Sequence, residues 1–386
     1  MHLFLRLTKK RTISILFILL FAISMTQAQT LTDTAYNLLI GTYTQEDKSD
    51  GIYVYEFNSE TGEFSYRAEA AGIKNPSFLT VSEDRKHVYS VNEIGGGKGG
   101  VSAFSFEAST GKLDYINSIG SGGDGPCYVS VDKANKFVFV GNYSGGSLAA
   151  VPIKQDGSLG ASIQSIRHES KSTGAEQQNS HVHATVLSED NRFLYVPDLG
   201  LDKVYVYDVD ASMPNPIVAS DPPYVQVKSG SGPRHFTFHP NGKFGYVIQE
   251  LMGIVTAFEY VNGQLATLQS VNLPSPDSKG SPDAADIHIS PDGKFLYGSL
   301  RGEINELVVY AIDEKGMLDY VGRHSTLGNG PRNFAIDPTG NFLLVGNGGS
   351  DEIVIFKRNK ATGLLTPTGK TIKIGSPVCL KFVPIK

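Results

Sequence analysis

The sequence predicts an all-β chain folded as a seven-bladed β-propeller of four-stranded antiparallel blades, closed by pairing N-terminal strands with a C-terminal one. Three observations lead there. A pattern of apolar strand, tight turn and apolar strand recurs seven times, no stretch sustains a capped 3.6-residue period, and the incomplete copies at the two ends are complementary.

The clearest copies of the repeat are GPRHFTFHPNGKFGYV from Gly232, AADIHISPDGKFLYGS from Ala284 and GPRNFAIDPTGNFLLV from Gly330. Aligning every copy on the residue seven before its turn gives Pro76, Pro126, Val182, Pro233, Ala284, Pro331 and Pro377, spaced 46 to 56 residues apart. That length suits four strands and their turns per unit. In the fourth copy, strand A is expected over His235 to Phe238, strand B over Phe244 to Ile248, strand C over Ile254 to Tyr260 and strand D over Leu265 to Val271. The seventh copy holds strand A alone, from Val378 to Val383. Strands B, C and D without an A stand at the other end, from Asn37 to Tyr43, Ile52 to Phe57 and Phe64 to Ala70. Joining them completes one blade and removes the open edge that a ring cannot leave exposed.

Residues 1–28 read as an export leader. Arg6, Lys9, Lys10 and Arg11 form a basic segment, the apolar run from Ile13 to Ile23 is short for a membrane span, and Thr26-Gln27-Ala28 offers small residues for cleavage. The mature propeller is then residues 29–386, periplasmic or secreted, with no membrane attachment after cleavage. A net charge of -5 gives no basic surface for nucleic acid or anionic lipid. Cys127 and Cys379 fall in non-adjacent blades and are expected to be free thiols.

The A–B and C–D turns lie on one face of such a ring and are uniformly tight. Long connections are confined to the other face: Thr44 to Asp50, Gly95 to Gly100, Arg167 to Ser180 and Ser275 to Asp283. That face is the expected binding face. Two register positions lie on it beside the central channel. The residue one after each register point is Ser77, Cys127, His183, Arg234, Ala285, Arg332 or Val378. The residue seventeen after it is Glu93, Tyr143, Leu199, Glu250, Arg301 or Gly348 in the six blades whose two strands are continuous. His183, Arg234, Glu250 and Arg301 are therefore the candidate catalytic group at the channel mouth. Arg332, His181, Tyr143 and Glu93 are candidate substrate-binding residues, with Glu93 placed across the ring.

Each has a structural reading beside the functional one. Arg234 and Glu250 can be an ion pair between strands A and B, which is compatible with binding a ligand. Arg301 and Arg332 can be solvated channel charges, and His183 an inner-rim histidine. His288, further along its strand, is expected to be structural. Nucleophile elbow, phosphate loop and zincin motifs are absent from the sequence. His181 and His183 have the alternation a zinc pair needs but no evident third ligand, so no metal or cofactor is expected.

At these residues the sequence resembles the lactonase family of seven-bladed propellers, which includes propeller-type 6-phosphogluconolactonases and fungal 3-carboxy-cis,cis-muconate lactonising enzymes. The resemblance covers essentially the mature chain. It rests on HVH at His181, GPRH at Gly232, Glu250 sixteen residues after Arg234, SPDGKFLYGSLR ending in Arg301, and GPRNFAID at Gly330. It implies that His183, Arg234, Glu250 and Arg301 are active-site residues, and that a sugar δ-lactone is hydrolysed without metal or cofactor. Phosphorylated sugar lactones arise in the cytoplasm, whereas this chain carries an export leader, so an unphosphorylated aldonolactone or another anionic lactone fits the compartment better. The expected partner is a small anionic lactone or sugar acid, bound by a monomer, with Glu250 or His183 as general base. A lactonising cycloisomerase and a binding propeller that presents the same rim without turnover are the alternatives.

Overall fold

A computed structural model of the protein describes residues 34–169 and 179–385. The expected leader lies outside the described residues, as does most of the connection between Arg167 and Ser180. Among the described residues the elements are strands, arranged as seven four-stranded antiparallel sheets. The sheets form a ring, with inner strands of neighbouring blades packed side by side and, at the third blade, strand B (Phe193–Asp198) packed against the inner strand of the fourth. The fourth blade runs Pro233–Phe238, Phe244–Gln249, Ile254–Val261 and Gln264–Asn272, one or two residues longer per strand than its periodicity predicts.

Ring closure follows the expected pairing. The sheet order is Pro377–Pro384, Ala35–Thr42, Gly51–Asn58, Phe64–Ala71, so the chain's last strand is the inner strand of a blade whose other three are its first. Tyr36 pairs with Pro384 and Ile40 with Leu380 in antiparallel register. The closing blade thereby gains the inner strand that each of the other six blades takes from its own stretch of chain.

Neighbouring blades are joined by a repeated contact on the tight-turn face. Tyr89, Tyr195, Tyr246 and Tyr297, all buried on B strands, donate their hydroxyls to the carbonyls of Gly157, Gly263, Gly316 and Gly363 in the next blade's C–D turn. Those glycines have positive φ, and a Cβ on Gly263, Gly316 or Gly363 would meet the ring of Phe193, Phe244 or Phe295 within 2.6 Å. Turn chemistry and close approach therefore demand glycine at the same place.

The inner strands depart from regular pairing at one repeated point. Pro126 pairs with Asn142 but Tyr128 with Gly141; Pro233 with Gln249 but His235 with Ile248; Pro331 with Asn347 but Asn333 with Gly346. One residue of strand A is thus extra at each site: Cys127, Arg234 and Arg332. In blades one and three regular strand A is shorter, Leu79–Val81 and Val186–Leu187, with an isolated bridge from Val182 to Asp198 ahead of the latter. A bulge re-aims the extra side chain, which brings it to the channel mouth.

Closure by both termini predicts that deleting residues from Pro377 onward removes an inner strand and exposes the edge of Ala35–Thr42. Urea unfolding of the truncated protein, followed by tyrosine fluorescence, should show no cooperative transition. A truncation that melts like the full chain would refute closure as the source of stability.

Candidate active site

The backbone that holds the mouth is the same in all seven blades. The carbonyl of the residue before each register point accepts a hydrogen bond from the N–H of the residue that follows strand B. These pairs are Asn75 with Glu93, Gly125 with Tyr143, His181 with Leu199, Gly232 with Glu250, Asp283 with Arg301, Gly330 with Gly348 and Ser376 with Tyr43. In six of them the acceptor residue has positive φ. This explains the glycine of the three Gly-Pro copies: it turns the chain into strand A while its carbonyl fixes the rim residue across from it. Tyr43 is the rim residue of the closing blade. The sequence register passed over it because its strand A comes from the opposite terminus.

Onto this frame the chain places a cluster of charges. Arg234 is 1 % exposed, and its Nε lies 2.8 Å from Glu250 Oε2. That N–H points off the line to the oxygen, so the contact is charge pairing more than an aligned hydrogen bond. Arg234 Nη1 donates to the Ala285 carbonyl at 2.6 Å. Arg301 Nη2 reaches the same Glu250 oxygen at 3.2 Å and Asp283 Oδ1 at 2.6 Å. Glu250 therefore sits between two guanidiniums, with its side chain 19 % exposed. Burial raises its pKa, but Arg234, Arg301 and Arg332 outweigh that and hold it below the usual carboxylate range. For Arg234, burial and the other two arginines pull the pKa down to about 10 against the pull of Glu250, so it stays charged at neutral pH.

Arg332 joins the cluster from the sixth blade. Its guanidinium lies over the Tyr43 ring at 5.3 Å and 3.9 Å from Glu93 Oε1. Burial opposes its charge, yet Tyr43, Glu93 and Cys127 raise its pKa. Glu93 is fixed in turn by the hydroxyls of Tyr43, at 2.8 Å, and Ser77. Although counted across the ring by blade, Glu93 is brought by closure to the same opening as Arg332.

His183 is 4 % exposed and lies beneath the charges, its ring edge-on to Tyr143 at 5.4 Å and to His235 at 5.3 Å. Burial first, then Arg234 and His235, hold its pKa well below 6.5, so the imidazole is neutral at pH 7. Its Nδ1 is 3.8 Å from Cys127 Sγ. Cys127 is a free buried thiol whose pKa burial pushes far up, as expected of a packing residue and not of a nucleophile. Ser77, Cys127, His183, Arg234, His235 and Arg332 enclose a cavity of about 10 Å³ at the ring centre, which brings together residues from blades one to four and six.

His181 stacks on Tyr143 at 4.5 Å, with Nδ1 against the Tyr143 carbonyl at 3.0 Å. Its backbone N–H is held by Asp198 Oδ1, whose other oxygen takes His168 and Ser180. His181 and His183 are thus engaged separately. Among the described residues no group of three or more His, Cys, Asp or Glu side chains is arranged to hold a metal ion, and no helix is long and apolar enough to cross a membrane. Besides Tyr43, the register missed Asp283, His235 and Asp286. Asp283 had a signal in retrospect, since it stands where the Gly-Pro copies carry glycine.

The buried histidines make stability depend on pH. His183 and His235 have folded pKa values below the unfolded 6.5, that of His235 at about 4, with burial the leading cause in both. The unfolded chain binds more protons over that interval, so stability is complete above pH 6.5 and is lost as pH falls toward 4. The urea midpoint should decline over that window, and His235→Gln should flatten the decline. A midpoint constant from pH 7 to 4.5 would overturn the assignment.

Residues 37–382 match the family model of the seven-bladed β-propeller lactonases. A 6-phosphogluconolactonase of Formosa agariphila is 39% identical over 336 residues, covering 85% of this chain and 94% of that protein. A 6-phosphogluconolactonase of Bacillus subtilis is 34% identical over 353 residues, covering 91% of this chain and 99% of that one. The solved structure of a periplasmic gluconolactonase from Pseudomonas aeruginosa superposes with a TM-score of 0.86 at 38% identity, covering 91% of this chain and all of that one. Repeat, closure and matched length point the same way: the chain belongs to the family of seven-bladed β-propeller lactonases.

Proposed function

We propose that the protein is a lactonase that opens an unphosphorylated sugar δ-lactone at the channel mouth, acting as an exported monomer. The observation that carries this is Glu250, ionised, partly exposed and clamped between Arg234 and Arg301, above a neutral His183. Hydrolysis needs water to attack the lactone carbonyl, a place for the negative charge on the carbonyl oxygen, and a proton for the departing ring oxygen. Glu250 orients the water and accepts its proton, since it reaches the mouth while His183 lies below it. Its low basicity is offset because the guanidiniums that lower it also stand where the oxyanion forms. As the carbon to ring-oxygen bond breaks, that proton passes to the ring oxygen and leaves a hydroxy acid.

Charge balance favours the unphosphorylated substrate. Arg234, Arg301 and Arg332 are met within the cluster by Glu250, Asp283 and Glu93, so the mouth holds little surplus positive charge for a phosphate dianion. The expected leader agrees with this, as does the periplasmic gluconolactonase among the similar structures. None of the steps calls on a metal or cofactor.

The test is hydrolysis by purified mature protein of gluconolactone, its 6-phosphate and carboxylated lactones, each corrected for spontaneous opening. Gluconolactone should give the highest kcat/KM. Glu250→Gln keeps an acceptor oxygen for Arg234 and should lower kcat by roughly 100-fold with the fold intact by circular dichroism. Arg301→Ala should raise KM and lower kcat together. A wild-type protein that opens none of these lactones above background, while binding a sugar acid at the mouth, would make this propeller a binding module.

A further inference from the structure

The lactone chemistry uses Arg234 of the GPRH motif and leaves His235 without a part. His235 is 6 % exposed and lies against Arg234, with Nε2 3.2 Å from Nη1 and Nδ1 2.8 Å from Asp286 Oδ1. A guanidinium only donates, so Nε2 must carry the lone pair and Nδ1 the proton. The tautomer is fixed from both sides.

Asp286 is the anchor. It is 3 % exposed, and its carboxylate accepts from His235 Nδ1 and Ile287 N on one oxygen and from His288 Nε2, Asn333 Nδ2 and Phe334 N on the other. The donors come from blades four, five and six. Burial opposes its charge, but His288 and His235 keep it ionised. The rings of Phe78, Tyr128 and His183 wall His235 in at 5.9, 5.5 and 5.3 Å. This also accounts for two motifs at once, since the histidine of GPRH and the asparagine of GPRN grip one carboxylate from either side.

A buried ionic network of this kind is rarely kept for stability alone, because well-packed apolar residues of like volume do as well or better. What this one holds is the guanidinium. Arg234 stands on the bulged residue, its Nε contact to Glu250 is poorly aligned, and Nη1 is gripped by His235 Nε2 and the Ala285 carbonyl. We propose that Asp286 and His235 form a positioning pair that fixes the orientation of the Arg234 guanidinium, and through it Glu250, for lactone opening. This rests on the hydrolase reading above for its kinetic consequence but not for its geometry.

The test compares His235→Phe, which fills the space without an acceptor, with His235→Gln, which restores a polar group to it. With gluconolactone, His235→Phe should lower kcat by about 10- to 100-fold with KM little changed, the scale set by misorienting a reacting group. His235→Gln should recover much of that loss. In an Arg234→Lys background His235→Phe should cost nothing further, because its effect runs through Arg234. Losses that simply add, or equal losses in both single variants, would overturn the proposal. A crystal structure of His235→Phe supplies a readout independent of turnover: the guanidinium should leave the Ala285 carbonyl, and finding it in place would overturn the proposal even if the wild-type protein opened no lactone. That last result would sink the hydrolase reading alone. Melting temperature is followed throughout, and if His235→Phe does not fold, His235→Met takes its place in each comparison.

Discussion

The pairing of Ala35–Thr42 with Pro377–Pro384 is the constraint on which the rest depends. The seven inner strands face one axis, and the sheet that closes the ring is made from both ends of the chain. Closure sets the spacing between rim residues that no local contact determines. Tyr43 from the N-terminal end thereby meets Glu93 and Arg332, and Val378 from the C-terminal end takes its place in the inner ring beside Ser77. An open arc of the same blades would have the same strands and no mouth.

Within the closed ring, one backbone device is repeated and different side chains are mounted on it. The bulge in strand A presents an extra residue to the axis, and the preceding carbonyl holds the residue after strand B beside it. Where these two positions carry cysteine and tyrosine, valine and tyrosine, or alanine and arginine, the result is packing or one half of a charge pair. Where they carry Arg234 and Glu250, the device builds the pair itself. The buried charge pair is thus confined to part of a nearly symmetrical frame, and the frame need not change to accommodate it.

Electrostatics decides how these groups can act. Three guanidiniums around one opening would repel each other out of a low-dielectric site if left alone. Glu250, Asp283 and Glu93 make their burial tolerable, and the same pairing keeps Glu250 ionised. The neutral state of His183 is the other side of this balance, since an imidazolium beneath Arg234 and Arg332 would add like charge where none is compensated. Asp286 extends the network below the mouth, tying three blades together under Arg234.

The sequence by itself determined the strands, their grouping in seven copies, the closing blade and the rim positions. Each of these follows from local patterning: alternation, turn residues at fixed offsets and the length of the repeat. That was enough to select His183, Arg234, Glu250 and Arg301, because a count along antiparallel strands preserves which rim a residue reaches. The tertiary structure decided which rim residues touch. Glu93 and Arg332 are far apart in sequence, and Tyr43 belongs to a blade whose count is broken by the chain ends, so their contact exists only once the ring is closed. The bulge was likewise invisible, since one extra residue leaves the hydrophobic pattern intact while turning Arg234 toward the axis. Asp286 looked like an ordinary strand residue because three of its five donors, from His235, Asn333 and Phe334, come from the two neighbouring blades, and only packing could bring them to one carboxylate.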